Sequence, residues 1–494
     1  MQRGQLCKGY EVWGKLGEGG MSEVWLARHT ELAMPVVIKT LRAFLAGATG
    51  SAHDRVRDEA RLMARVTSSG VVRILDFGVD EDRTPFLVQE YLDGIDLGEL
   101  DRRRRNALRR PLPIWAVAEL VAEAAAALKE VHQGGVVHCD VKPSNLFYSP
   151  HGRLKVGDFG VATASVAGRS GAPGGTPGFM APEQERGAGV DFRSDVYALG
   201  ATAFALRYGA APFADGTGER RRDAMLHMPP ARSPEEAYFQ HIVARMMSPR
   251  PDARFDGMFT VEQLFAQLAR ATRPAQPVSE LAKTELRLGS TRIVLEVGDI
   301  SLAKVDGIVS SANYALRMRA GVGAALVARG GVEIEQEAME SGERPLGDCV
   351  ATGPGRLHCR GVLHAVGAWN EVSCVARATQ RALLASEELG FTSLALPAIG
   401  TGQGRVGIEG SADAMVSALA RHLTLGGSKL REVRFVLCDA STLQRFLDVA
   451  RSVLLEGRDP ARGDDSVDAP VENLEAESAP TLFASNGGLV VGTG

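Results

Sequence analysis

The sequence predicts a multidomain protein. An α+β unit of two lobes comes first, then an α/β layered domain with a mostly parallel sheet, then an acidic tail. Three observations carry this. Residues from about 10 to 40 alternate apolar and polar positions around glycines and strand-like runs recur at 71–79 and 85–92, whereas those from about 112 to 270 have helical spacing. Strand-like and helix-like runs then alternate from about 285 to 455, the pattern of a parallel sheet covered by helices. At 494 residues the chain also exceeds one ordinary domain.

Composition narrows the function classes. The chain is 45% hydrophobic and 23% charged, with a net charge of −4, so no whole-chain field favours nucleic acid or a lipid surface. Six cysteines lie scattered without CxxC spacing, which predicts reduced thiols in a cytoplasmic protein. The opening MQRGQLCKGY lacks the apolar run of a signal peptide, and no stretch approaches the ~20 apolar residues of a membrane span.

In order, 10–40 reads as strands around a glycine turn, and SAHDRVRDEARLMARV (51–66) as a helix with Val56, Leu62, Met63 and Val66 inward. VVRILDFGV (71–79) and PFLVQEYL (85–92) read as strands. The basic run DRRRRNALRR (101–110) is expected between two helices of the large lobe, as a solvated connector or as a docking patch for acidic substrates or nucleic acid. Residues 271–284, with two prolines in ATRPAQPVSE, read as a linker, and 456–494 as an acidic, disordered tail.

Five pieces of the first unit carry chemistry. GKLGEGGMSEVW (14–25) is a glycine loop between strand-like runs, suited to bringing backbone N–H groups close to phosphates. Lys39 ends VVIK on the next strand, and Glu59 lies on the helical stretch after it, so the two can pair and aim the lysine. HCDVKPSN (138–145), DFG (158–160) and APE (181–183) follow in order.

With these pieces, residues 8–270 resemble a eukaryotic-type Ser/Thr protein kinase of the form common in bacteria. The resemblance implies a two-lobed fold with ATP in the cleft. Gly17, Gly19 and Val24 would cover the nucleotide, Lys39 would hold the α and β phosphates, and Glu59 would orient Lys39. Backbone groups of Glu90 and Leu92 would meet the adenine, beside Gln89. Asp140 would accept the substrate hydroxyl's proton, Lys142 would neutralise the transferred phosphoryl, and Asn145 and Asp158 would hold magnesium ions. Asp195 would tie down the catalytic loop, Glu183 and Arg254 would form a buried ion pair, and Thr176 favours Ser/Thr substrates.

Two departures stand out. Cys139 replaces an arginine that pairs, in many kinases, with a phosphorylated activation loop, and a thiol offers no cationic fork. The loop is therefore expected not to need phosphorylation, and Cys139 to be a packing thiol. Ser22 stands where the glycine loop would carry its third glycine.

The second region has two Gly-rich turns at strand ends, RAGVGAAL (319–326) and PAIGTGQGRVG (397–407), together with EVGDI (296–300) and VSSAN (309–313). Two such turns can clamp a diphosphate. Residues 285–455 resemble a macrodomain, the ADP-ribose-binding α/β/α module. By that resemblance Asp299 would bond the adenine amine and Asn313 would approach the distal ribose. Gly321, Val322 and Gly323 would line the diphosphate on one side and Thr401, Gly402, Gln403 and Gly404 on the other. Ser310 replaces the first Asn of one hydrolytic group, and the glycine turn holds no carboxylate, which argues against hydrolysis. His358 and His364 are expected as core or strand-end histidines.

Together the halves imply an ATP- and Mg2+-dependent Ser/Thr kinase whose macrodomain recognises ADP-ribose or ADP-ribosylated protein. An ADP-ribosyl hydrolase controlled by the kinase, or a pseudokinase scaffold, are the alternatives. The macrodomain could recruit substrates or change kinase activity. On the recruiting reading, deleting 285–494 leaves activity on a generic peptide unchanged.

Overall fold

The computed structural model describes residues 1–19, 22–40, 66, 68–80, 84–148, 154–158, 165–166, 175–213, 228–275, 277–369, 372–402, 404–456, 482–485 and 488–491. The chain divides into two compact units. One gathers Met1–Pro111, Leu146–Gly157 and Ala275–Asp459, and the other holds Leu112–Asn145 and Asp158–Pro274. The helix expected over 51–66 lies outside the described residues except at its last position.

The first unit opens with a six-stranded antiparallel sheet. Its strands are β1 (Leu6–Cys7), β2 (Tyr10–Gly19), β3 (Ser22–His29), β4 (Pro35–Thr40), β5 (Ile74–Val79) and β6 (Pro85–Glu90). They lie in the order β1-β2-β3-β4-β6-β5. One face buries Tyr10, Val12, Trp25, Ala27, Val36, Ile38, Phe86 and Val88 together, as period-2 alternation requires. The short β7 (Ile95–Asp96) leads into α1 (Leu97–Leu108), with Asp96 accepting from the Glu99 N–H at 2.8 Å as its N-cap. β7 also pairs with β8 (Leu146–Tyr148), which pairs with β9 (Lys155–Val156).

The basic run is thus mostly helix α1, not a connector between helices. Arg104 is 4% exposed and donates to the carbonyls of Leu425 and Gly426 at 3.3 and 2.6 Å. Arg103 forms a forked pair with Glu388, at 2.9 and 2.8 Å. These arginines meet partners of their own chain that are more than 280 residues away, which is why local charge patterning misread them.

The rest of the first unit is built on an eight-stranded sheet. Its strands are β10 (Val278–Ala282), β11 (Glu285–Leu288), β12 (Thr291–Val297), β13 (Gly307–Ser311), β14 (Cys349–Thr352), β15 (Gly361–Ala365), β16 (Ser393–Leu396) and β17 (Glu432–Leu437). The order is β10-β11-β12-β17-β16-β13-β15-β14. The five strands from β12 to β15 are parallel, flanked by antiparallel β10, β11 and β14. β10 comes from the stretch read as a linker; it pairs along β11, and Glu280 on it meets Arg451 at 2.5 Å.

Helices cover both faces, giving the α/β/α layering. Val375–Glu388, Ile408–Thr424 and Ala440–Leu454 enclose one core with Leu295, Leu363, Leu394 and Phe435. Gly321–Gly330 and Glu333–Glu340 enclose the other with Ile308, Val362 and Ala395. His364 is fully buried on β15, with its Nε2 2.9 Å from the Thr352 hydroxyl. Burial pushes its pKa down to about 4, so the ring is neutral at pH 7, the core histidine expected.

The second unit is helical, with Ile114–Gln133, Phe192–Tyr208, Pro234–Met246 and Met258–Thr272 as its main elements. The alanine-rich Ile114–Gln133 buries one broad face from Trp115 to Val131. Arg254, wholly buried, forks onto Glu183 at 2.7 and 2.8 Å, and the Ser194 hydroxyl donates to the same carboxylate at 2.7 Å. Burial alone would raise the Glu183 pKa, but the Arg254 fork holds it below the usual range. Within the segment read as a tail, two antiparallel strands, Leu482–Ser485 and Gly488–Val491, flank an Asn-Gly pair. Among the described residues no helix is long and apolar enough to cross a membrane.

Two predictions follow from these buried charges. Arg254→Met strands the Glu183 carboxylate and should cost about 3–5 kcal/mol in urea unfolding of the full chain; an unchanged midpoint refutes the pairing. His364 binds fewer protons folded than unfolded. Its contribution is therefore complete above the ordinary histidine value of 6.5 and is lost as pH falls toward about 4, by about 3 kcal/mol. Hydrogen exchange along Gly361–Ala365 should accelerate over that window, and His364→Gln should flatten the profile.

Candidate functional site

The reactive constellation of the second unit is built around one buried carboxylate. Asp195 sits in the first turn of Phe192–Tyr208, is fully buried, and accepts from the backbone N–H groups of His138 and Cys139 at 2.8 and 2.9 Å. The His132 ring lies 2.8 Å from the same carboxylate. Burial by itself would raise the Asp195 pKa, but these bonds and the charge of His132 outweigh it and hold the group ionised below the usual range. The loop is thus fixed by main-chain bonds rather than by a cationic side chain at 139.

Cys139 takes a left-handed conformation, φ 64°. Its side chain is buried with Val137, Val190 and Phe192, and its carbonyl accepts from Gln184 Nε2 at 2.7 Å. The expected packing thiol is what the structure places there. Val136–Val137 pairs with Ser165–Val166, which pins the segment after Asp158 through backbone bonds.

Turning back at Cys139 presents Asp140 and Lys142 to one another, with Nζ and Oδ2 2.8 Å apart. The Thr176 hydroxyl donates to Asp140 Oδ1 at 2.8 Å and accepts a short bond from the Lys142 ammonium. Asn145, on the 3-10 turn Pro143–Asn145, donates its amide to the Asp140 carbonyl at 2.8 Å and to Oδ2 at 3.1 Å. That leaves the Asn145 amide oxygen, a hard donor, on the other side of the group. Asp158 adopts φ 55°. Gly175 is required just before Thr176: its φ is 131°, and a Cβ there would lie 2.9 Å from the Cys139 carbonyl oxygen.

In the first unit one register line crosses the sheet. Gly17 pairs with Val24, Val24 with Lys39, and Lys39 with Leu87. Directly opposed residues share a face, so Val24 and Lys39 project together with Gly17 beside them. Gly19 pairs with Ser22 toward the hairpin tip. Glu90, at the end of β6, accepts from the Arg73 N–H at 2.8 Å and from Lys155 at 2.6 Å. Leu92 follows Tyr91 in the strand-to-helix connection. Glu59 lies outside the described residues, as do Phe159, Gly160 and Gln403.

The first unit also holds a cavity of about 510 Å³ beside Trp13, Trp25 and Tyr314, and one of about 460 Å³ at the carboxyl ends of adjacent parallel strands β13 and β16. That is where a parallel sheet leaves a crevice. Asn313, Gly321, Val322, Gly323, Thr401, Gly402 and Gly404 line the latter cavity, as read from the sequence. The helix Gly321–Gly330 begins there with no side-chain cap, so its first N–H groups have no partner within the helix or from a cap. Gly321 needs its freedom, with φ 54°, whereas Gly402 has open space where a Cβ would stand.

Three lining residues escaped the sequence reading as ligands. Arg317 and Arg319 flank the first turn, and the basic RMR just ahead of the glycines was the available signal. Ser310 is wholly buried and its hydroxyl has no hydrogen-bond partner; only tertiary packing could reveal that. Two of the assigned residues have further partners of their own. Asp299 is not among the lining residues: it caps Ile300–Leu302, accepting from the Ser301 N–H and hydroxyl at 2.9 and 2.6 Å. Asn313 lines the cavity but spends its side chain on its own loop, accepting from the N–H groups of Ala315 and Arg317 and donating to the Arg317 carbonyl.

Comparison with known proteins agrees with both constellations. The Protein kinase domain family matches residues 10–266, and the Macro domain family matches 309–415. Serine/threonine-protein kinase PknB of Mycobacterium leprae is 40% identical over 215 residues, 42% of this chain and 34% of that protein. PknB of Mycobacterium tuberculosis is 36% identical over 261 residues, 51% of this chain and 38% of that protein. Pkn1 of Myxococcus xanthus is 33% identical over 265 residues, 51% and 37% respectively. The chain thus spans little more than a third of the length of these relatives. With the kinase match covering more than half of its residues, the chain belongs to the protein kinase domain family, and it carries a Macro domain in its second region.

Proposed function

We propose that this chain is an ATP- and Mg2+-dependent Ser/Thr protein kinase, residues 8–270, whose macrodomain, 285–455, binds ADP-ribose or ADP-ribosylated protein. The observation that carries the kinase half is the Asp140–Thr176–Lys142 circuit. A hydroxyl held between a carboxylate and an ammonium is the arrangement that accepting a substrate proton requires. Asp140 takes the proton of a serine or threonine hydroxyl, and Lys142 offsets charge on the phosphoryl group in transfer. Gly17, Gly19, Val24 and Lys39 hold the nucleotide, Glu59 orients Lys39, and backbone groups of Glu90 and Leu92 take the adenine.

Asn145 and Asp158 offer an amide oxygen and a carboxylate, the hard ligands magnesium takes alongside phosphates, so the residues fit that ion. Bound there, it would neutralise phosphate charge and orient the nucleotide. No charged part of the machinery is missing, which argues against a scaffold without activity. Intracellular protein substrates and a cytoplasmic setting belong to this reading.

The macrodomain half rests on the uncapped helix start at Gly321 and the second Gly-rich turn opposite it. Together they offer N–H donors for a diphosphate. Arg317 and Arg319 add positive charge. No Asp or Glu is among the described lining residues, and His364 is neutral and tied to Thr352. A pocket without a base favours a reader over a hydrolase.

Asp140→Asn should lower phosphoryl transfer to a generic Ser/Thr peptide by about 10²–10⁴-fold with nucleotide binding kept; retained turnover excludes the assigned base. ADP-ribose titrated calorimetrically into the full chain should bind with micromolar affinity, about 8 kcal/mol. Gly402→Val sets a branched side chain on the lining turn, where a Cβ has open space, and should abolish that heat. Undiminished binding in Gly402→Val, or no binding in the native chain, rejects the cavity as the ADP-ribose site.

A further inference from the structure

The first unit joins the kinase-type sheet to the macrodomain through a dense, specific contact. The helix Val375–Glu388 has no side-chain cap of its own. Asp93, just past the adenine segment, supplies one: its carboxylate accepts from the Ala376 and Arg377 N–H groups at 3.0 and 2.8 Å. One turn on, Arg381 forks onto Glu99 at 2.8 and 2.8 Å, each side chain only 14% exposed. Arg103 forks onto Glu388, and Lys429 donates to the Ala107 carbonyl at 2.8 Å. Buried forks of this kind fix geometry as well as add energy.

The same contact reaches the macrodomain cavity. The loop that lines it through Ser310 to Asn313 continues into Tyr314 and Leu316. Those two residues pack with Leu26, Trp13, Leu16 and Tyr91, on the glycine hairpin and the adenine segment. Leu26 is two residues from Val24. Asn313 currently stabilises this loop through three bonds of its own side chain, so a ligand that engages Asn313 competes with the bonds that shape it. The cavity of about 510 Å³ beside Trp13, Trp25 and Tyr314 leaves the loop room for a second arrangement.

We propose that the macrodomain is a clamp on the nucleotide-binding half of the kinase, and that its ligand regulates the kinase by altering that clamp through the Asn313–Leu316 loop. This rests on the kinase and ADP-ribose readings given above. It reverses the expectation that deleting 285–494 leaves peptide phosphorylation unchanged: removal exposes Leu26, Tyr91 and Arg103 and frees Asp93.

The test is a charge swap in the full chain, read as affinity for a fluorescent non-hydrolysable ATP analogue. Glu99→Arg and Arg381→Glu should each weaken binding by about 5-fold or more, and the double variant should return to within about 2-fold of the native chain. As a control for misfolding caused by a reversed charge, Glu99→Gln, which keeps shape, should weaken binding in the same direction. Native affinity in all single variants overturns the clamp. Saturating ADP-ribose should also shift the analogue's affinity by about 5-fold or more, and the analogue should shift ADP-ribose affinity by the same factor. Both shifts should vanish in Gly402→Val. A shift persisting there means direct competition for the ATP site and overturns the regulatory role, as does calorimetric ADP-ribose binding with no shift. Absence of ADP-ribose binding instead rejects the cavity reading, and the charge swap then decides the clamp alone.

Discussion

A helix that starts without a side-chain cap leaves backbone N–H donors that something must satisfy, and that requirement organises the first unit. Four described helices of this unit start so, and two of them, on opposite faces of the eight-stranded sheet, show how the donors are met. At Val375 the donors are met by Asp93, from the strand-to-helix connection of the kinase-type lobe. At Gly321 they face a cavity. One such terminus therefore ties the macrodomain to the strand-to-helix connection after β6, and the other opens onto the cavity.

The second unit solves a comparable problem with a buried carboxylate. Asp195 would be a costly charge in a helical core were it not bonded to two backbone N–H groups and a histidine. Once those bonds exist, the loop from His138 to Asn145 is held by main chain. That explains how Cys139 can replace an arginine: the residue packs against Val137, Val190 and Phe192, and the order of the loop does not depend on its side chain. Val136–Val137, just before this loop, also pairs with Ser165–Val166.

The arginine-rich helix shows how burial changes the meaning of charge. Exposed ion pairs add little, but Arg103 and Arg104 sit against carboxylate and carbonyl acceptors with little water around them. Their role is to fix the position of one part of the chain on another. A fixed geometry across this contact is what the proposed route from the macrodomain to the glycine hairpin requires, and a flexible tether would not supply it.

The sequence by itself determined the elements and the chemistry that depend on local order. The glycine hairpin, Lys39, the Asp140–Asn145 loop and the two Gly-rich turns were all legible, because strand period, turn chemistry and short motif spacing are written along the chain. Cys139 as a packing residue and His364 as a core histidine were legible for the same reason. Tertiary structure alone decided what joins distant residues. It left the Ser310 hydroxyl without a partner among the described residues, drew a strand from the apparent linker, and turned a basic run into a docking helix. Arg103 and Arg104 meet their acceptors hundreds of residues away, and no local pattern encodes that.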